Sequence, residues 1–323
     1  MPIQSSARQR GIALILVLWV LSLMMIMAGS FALSMRREAS VAIGIKDNAQ
    51  GGAAAEAGIA IAEMMLLNPD QNRRWRSDGS LYQIDFVDTL VRVRLLAESG
   101  KIDINRAEPA LLQSVLAQAP VEPDQQTALL GAILDWRDPD DLANIEGAES
   151  KEYHAAGLKY EPRNQPFQSI EELQMVLGMN EAILKYLDPL ITVHSGQPQV
   201  NLATASREVL RILPGLDASL VDQYIQLRRE SAINNAQTPP FSLGQGLTNA
   251  SGSSDIVEII AEALLEDGAS VILKVLVAKS GDAGSSPFQI LKWRREDSSE
   301  NSLFSEEMTE LLVARNAESE FKH

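Results

Sequence analysis

The chain has 323 residues, enough on length for two or three compact units. It carries 28 basic against 43 acidic residues, a net charge of −15, which opposes attachment to DNA phosphates or anionic lipid and favours metal cations and basic protein surfaces. The absence of cysteine excludes disulfides and thiolate metal sites, and three histidines leave little material for a zinc enzyme.

Residues Met1 to Arg10 are polar, with Arg8 and Arg10 as their only charges, and Gly11 follows. From Ile12 to Leu33 the chain is uncharged and apolar apart from Ser22 and Ser30. As a helix this stretch spans roughly 30 Å, the thickness of a bilayer core. It is longer than the apolar part of a secretory signal, and no small-residue cleavage pattern follows it, so a retained anchor is expected. Charge leaves its orientation open: Arg8 and Arg10 precede the span, and Arg36, Arg37 and Lys46 follow it. The helical pattern runs on through Ala42, Ile45, Ala49, Ala53, Ala57, Ala60 and Met64 to about Leu67, just before Pro69. Its small residues, including Gly51, Gly52 and Gly58, permit close approach of another helix or a sheet.

Residues 70–80 read as a loop. Tyr82–Phe86 and Leu90–Leu96 read as strands, because Val91, Val93 and Leu95 alternate with Arg92 and Arg94, giving one buried and one wet face. Val271, Leu273, Val275 and Val277 show the same period. Gly281-Asp282-Ala283-Gly284 supplies a turn, and Phe288–Trp293 resumes an extended pattern. Strands at 81–98 and 270–295 flank a long, mostly helical stretch. The economical fold is therefore α+β: one small antiparallel sheet packed on the N-terminal helix, with a large helical domain inserted into it. The tail from Asp297 is polar, with one short amphipathic helix at Glu307–Ala314, and is expected to fray.

The inserted stretch holds a weak repeat. Ile102-Asp103-Ile104-Asn105 and the residues to Leu112 align with Val200-Asn201-Leu202-Ala203 and the residues to Leu210, at an offset of 98, each passing from extended chain into helix. Pro166–Leu173 and Leu213-Pro214-Gly215-Leu216 resemble helix-hairpin-helix units, which often grip DNA backbone. That makes a membrane-held DNA receptor the rival function. Against it, Asn180 and Asp217 stand where the second glycine of a phosphate-gripping turn belongs. The surroundings are also acidic, so packing modules without nucleic acid are expected.

Seven carboxylates lie between Asp135 and Glu152: Asp135, Asp138, Asp140, Asp141, Glu146, Glu149 and Glu152. Asp138-Pro139-Asp140 suits a loop folding around a hard cation such as calcium, although the spacing is not that of an EF-hand. A solvated acidic loop is the other reading of the same residues. No nucleophile elbow, zinc motif or phosphate loop is present, so no enzyme is expected.

The basic leader and Gly11, followed directly by Ile12-Ala13-Leu14-Ile15-Leu16, resemble the class III leader cut by prepilin peptidase, with cleavage between Gly11 and Ile12. Most pilins and pseudopilins carry glutamate at the fifth mature position, where this chain has Leu16. Its absence is a mark of the K component of the type II secretion pseudopilins, general secretion pathway protein K. That family's Asp-Trp-x-Asp-x-Asp, Gly-Ala-Glu and Tyr pattern is matched by Asp135-Trp136-Arg137-Asp138-Pro139-Asp140, Gly147-Ala148-Glu149 and Tyr153. The resemblance implies a leader at 1–11, a membrane helix at 12–33, and helix continuation with the first strands at 34–104. It further implies a helical insertion at 105–268, returning strands at 269–296 and a tail at 297–323. It implies a structural calcium ion, with Asp138, Asp140 and Glu149 the foremost ligands, then Asp135, Asp141, Glu146 and Glu152. Function would be structural: a minor pseudopilin at the tip of the pseudopilus, held in the inner membrane with its C-terminal domain in the periplasm. It would be processed and N-methylated at Ile12. Its contacts would be the I and J pseudopilins, with H or the major pseudopilin G beneath, attached through the stripe Ala49, Ala53, Ala57 and Ala60.

Overall fold

The computed structural model describes residues 10–241, 255–280, 286–296 and 302–314. Residues 1–9 of the expected leader, the expected turn at 281–284 and most of the remaining tail lie outside these described residues. The chain divides into two units, Met1–Gly51 and Gly52–His323. One helix, α1 (Arg10–Leu66), begins in the first and ends in the second. Its N-terminal part is long and apolar enough to cross a membrane, with a mean hydropathy of 2.4. The side chains of Leu16, Trp19 and Phe31 are exposed.

The second unit is built on a six-stranded sheet. β1 (Asp78–Phe86) and β2 (Thr89–Ala97) form a hairpin. The chain then leaves the sheet and makes β3 (Ile102–Asp103), α2 (Pro109–Leu116), α3 (Gln126–Arg137) and α4 (Ser150–Ala155). It continues through α5 (Glu181–Leu187), β4 (Ile191–Thr192), α6 (Arg207–Ile212) and α7 (Ala218–Ile233). It returns as β5 (Ile256–Leu265), β6 (Ser270–Lys279) and β7 (Phe288–Glu296), and closes with α8 (Glu306–Thr309) and β8 (Leu312–Ala314). The strand order is β7-β6-β5-β2-β1-β8, antiparallel except that β8 runs parallel to β1.

The last turns of α1 lie on one face of the sheet. Ala55, Ile59, Ala62 and Met65 are buried there against Val91, Val93, Leu95, Ile259, Ala261, Val275 and Val277. The strand period of two puts these alternate residues on one side. Gly58 sets the approach of helix to sheet: a Cβ at that position would meet Val91 Cγ1 at 2.7 Å. Trp75 stacks on Tyr82 at 4.2 Å between centroids and closes the end of this core.

The other face is not the wet one that the alternation suggested. Arg92 and Arg94 are 9% and 8% exposed, because the insertion and the tail cover them. Arg94 donates to both carboxylate oxygens of Glu208 at 3.0 Å, and Arg92 donates to the Leu303 carbonyl at 2.9 Å and to Thr309. Lys101 sits buried between Glu98 and Glu258, 2.8 Å from each.

Two boundaries differ from expectation. The helical insertion ends before Ile256, since β5 is a central strand pairing with both β2 and β6. The tail does not simply fray: the expected helix at Glu307–Ala314 is a single turn, α8, and β8 then joins the sheet edge. Glu262, 1% exposed, accepts from Ser302 at 3.0 Å and from the Leu303 amide, which pins the start of this segment.

Inside the insertion the repeat is realised locally. Asp103 accepts from the Asn105 amide and Asn201 from the Ala203 amide, so equivalent side chains make equivalent turns ahead of α2 and α6. The parallel pair β3–β4 was not expected. The two hairpins turn at Gly178 (φ 86°) and Gly215 (φ 81°). Asn180 caps α5 by accepting from Ile183, and Asp217 caps α7 by accepting from Ser219. The residues that break the phosphate-gripping pattern therefore satisfy the helix N-termini themselves.

Candidate metal centre

The last turn of α3 buries Asp135 and Trp136, both 0% exposed. The Trp136 ring stacks on Phe167 at 6.0 Å and packs beside Tyr153, whose hydroxyl accepts from the Leu177 amide at 3.0 Å. This cluster welds the end of α3 to α4. Asp138 is the C-terminal cap residue of α3, and Glu149 is the N-terminal cap residue of α4. The loop between them crosses closely over the helix: a Cβ on Gly131 would meet the Gly147 backbone at 2.7 Å, and one on Gly147 would strike Asp135 Oδ2.

Asp135, Asp138 and Glu149 converge, each placing one carboxylate oxygen within 4.8 Å of the others. Asn144 organises them. Its amide and its side-chain nitrogen donate to Asp135 Oδ1 at 2.9 and 2.6 Å, and the same nitrogen reaches Asp138 Oδ2 at 3.2 Å. Asp135 Oδ2, Asp138 Oδ1 and Glu149 Oε1 are buried with no hydrogen-bond partner among the described residues. Arg137 offsets part of the charge on Asp138 from a distance, but its guanidinium donates to the Ile104 and Ala107 carbonyls, and burial and the neighbouring aspartates outweigh it. Burial, and then repulsion from Asp135, Asp138, Asp141 and Asp140, pushes Glu149 up to about 7; burial and the neighbouring aspartates also raise Asp138. Buried, unpaired carboxylates of one sign are costly, and a hard cation with oxygen preference relieves that cost. The donor set therefore fits a calcium-like ion.

The other expected ligands stand outside this group. The Asp140 carboxylate accepts from the Leu142 amide, and Asp141 accepts from Asn164. Glu146 is exposed in the left-handed region at φ 55°. Glu152 accepts from the Glu149 amide in a capping box. Asn144 and Gly131 were not singled out in sequence, and Gly147 was named there only as part of the Gly-Ala-Glu pattern. Only the closeness of glycines to an acidic run could have pointed to them.

Of the expected attachment stripe, Ala49, Ala53 and Ala60 are exposed and Ala57 is partly buried; Ala55, Gly58 and Ile59 face the sheet instead. Leu16 is exposed on the apolar part of α1. Gly11 and Ile12, the expected processing pair, lie in the first turn of α1, and their side chains are outside the described residues.

A family model described as type II secretion system protein K matches residues 90–196, a range that includes the whole carboxylate cluster. The type II secretion system protein K of Klebsiella pneumoniae is 28% identical over 246 residues, covering 68% of this chain and 76% of that protein. The protein of the same description from Aeromonas hydrophila is 27% identical over 239 residues, covering 66% and 72%. Among solved structures, a chain of the GspK-GspI-GspJ complex from the enterotoxigenic Escherichia coli type 2 secretion system superposes with a TM-score of 0.51 at 17% identity. That superposition covers 78% of this chain and 97% of that one, a likeness of fold. Family model, curated relatives and fold agree in what this chain is similar to: type II secretion system protein K.

Proposed function

We propose that this minor pseudopilin of type II secretion caps the tip of a periplasmic pseudopilus and has no enzymatic role. The observation that carries the reading is the excursion between β2 and β5. These two strands pair directly, yet the insertion that separates them in sequence exceeds the sheet in size. Bulk of that kind, carried on a helix-and-sheet unit, would obstruct a further subunit stacked above it. Leu16 supports the same reading. A leucine cannot neutralise the terminal amine of a neighbouring subunit in an apolar environment, where an unpaired charge is costly, so repeated incorporation is disfavoured. The apolar part of α1 would anchor the chain in the inner membrane, after prepilin peptidase processing between Gly11 and Ile12, with the second unit in the periplasm. The partners would be the I and J minor pseudopilins, in line with the assembly in which the structural neighbour was solved, with H or G beneath.

The test is co-purification of residues from Lys46 onward with the soluble parts of minor pseudopilins I and J. One copy per assembly, with no gel shift of duplex DNA at low salt, is the expected result. Duplex binding that weakens steeply with salt, and no pseudopilin complex, would overturn the reading.

A structural calcium ion at Asp135, Asp138 and Glu149 belongs to the same proposal. It would fix the loop between α3 and α4 by joining the two helix ends. Calcium in about hundredfold excess over its dissociation constant should stabilise the native state by about 2.7 kcal/mol, read as a rise in melting temperature. Asp138→Ala combined with Asp140→Ala should abolish the rise, and Asp140→Ala alone should retain most of it. An unchanged melting temperature at millimolar calcium would count against the site.

A further inference from the structure

The loop that follows α3 presents two aliphatic side chains to solvent. Leu142 is 78% exposed and Ile145 is 83% exposed. Their outward position is enforced. Asn144, next to Ile145, is tied inward to the buried Asp135 through both its backbone and its side chain. The Gly147 amide closes back on the Asn144 carbonyl at 2.9 Å. On the other flank, the Leu142 amide is held by Asp140, and Asn164 holds both the Asp140 carbonyl and the Asp141 carboxylate. While these contacts stand, the loop has no local rearrangement that buries either side chain. The surroundings have one sign of charge: Asp140, Asp141 and Glu146 flank the pair, and the sequence holds no lysine or arginine between Arg137 and Lys151.

We propose that residues 140–146 are a contact tip that inserts Leu142 and Ile145 into an apolar socket rimmed by lysine or arginine on a protein partner. An apolar centre with a charged rim is the ordinary anatomy of a specific protein contact, and an acidic rim selects a basic counterpart. The same charge opposes an anionic bilayer as the occupant. The inference needs neither the tip position nor a bound cation, since the contacts that hold the loop are all made by this chain.

The experiment places a photoreactive benzoylphenylalanine at Leu142 or Ile145 in the full-length chain, expressed in its own host. Adducts are sequenced, and the captured protein is then purified and titrated against the chain. The expected adduct maps to an apolar surface with lysine or arginine beside it. Leu142→Ser with Ile145→Ser should weaken the purified interaction by about tenfold or more, as for a central apolar anchor, with the melting temperature unchanged. Glu146→Lys, a charge reversal on the exposed rim, should weaken it as well. Adducts confined to lipid, binding of the chain to phosphatidylglycerol vesicles through these residues, the absence of any discrete protein adduct, or an interaction indifferent to the serine pair would each overturn the proposal. The melting temperature separates loss of the contact from loss of folding.

Discussion

The two faces of the central sheet are held by different physics. The face under α1 is dry: alanine, valine and isoleucine from β2, β5 and β6 meet Ala55, Ile59 and Ala62, and Gly58 lets the helix sit close. The face under the insertion mixes Leu96, Ile260 and Ile272 with the buried Arg92, Arg94, Lys101 and Glu262 and the half-buried Glu258. Apolar burial is tolerant of its neighbours and stabilises by roughly 25 cal/mol per Å². A buried ion contributes only while its partners stay in place. The α1 face thus supplies adhesion, whereas the insertion face supplies a specified seat for a second domain.

Lys101→Met should break the charged face most severely. It leaves the buried Glu98 without its cation and the half-buried Glu258 with only Lys274 and Arg294 near it, a loss of about 3–5 kcal/mol in chemical denaturation. Removing charge from all three positions together should recover much of that. On the dry face, Gly58→Val should cost about 1–3 kcal/mol by pushing α1 off Val91, and the cost should not depend on salt or pH.

Acid sharpens the contrast. Burial by itself would raise Glu208, but Arg94, the Ser206 hydroxyl and a backbone amide together outweigh it and hold the carboxyl at about 2; burial likewise opposes Glu258, which Lys101, Lys274 and Arg294 together hold well below the usual range. A carboxylate depressed in the folded state stabilises above its unfolded pKa, about 4.5 here, and that contribution is lost as pH falls from there toward 2. Melting temperatures followed down this window should fall in the native chain and fall less in Glu208→Gln. The smallest effect is expected at the exposed stripe: Ala53→Leu should change stability by less than about 0.5 kcal/mol. It should nonetheless weaken co-purification with the I and J pseudopilins if that stripe is the attachment surface.

Much of this architecture was legible in the chain. The uncharged run from Ile12 to Leu33 admits a membrane helix on length alone, and the alternation at Val91–Leu95 and Val271–Val277 identifies strands whatever surrounds them. β5 was not legible, because Ile259-Ile260-Ala261-Glu262-Ala263-Leu264-Leu265 is rich in good helix formers, and only pairing on both sides makes it a strand. In the acidic loop, composition located the carboxylates without ranking them. Asp135 and Glu149 lie on one helix end each, separated by the whole loop between α3 and α4, and the Trp136–Tyr153–Phe167 packing brings those ends together. Asp140, although adjacent to the group, is consumed by its own turn.

The sequence by itself determined where the chain is apolar, where it is acidic and where its backbone must turn, since these depend on side-chain chemistry and local sterics. Only the tertiary structure decided which of the polar residues are buried. Arg92 and Arg94 carry the pattern of a solvated strand face, and their burial depends on an insertion and a tail that reach them from more than 100 residues away in the chain. Burial is a property of what arrives on a surface, and a period-two pattern records only the surface.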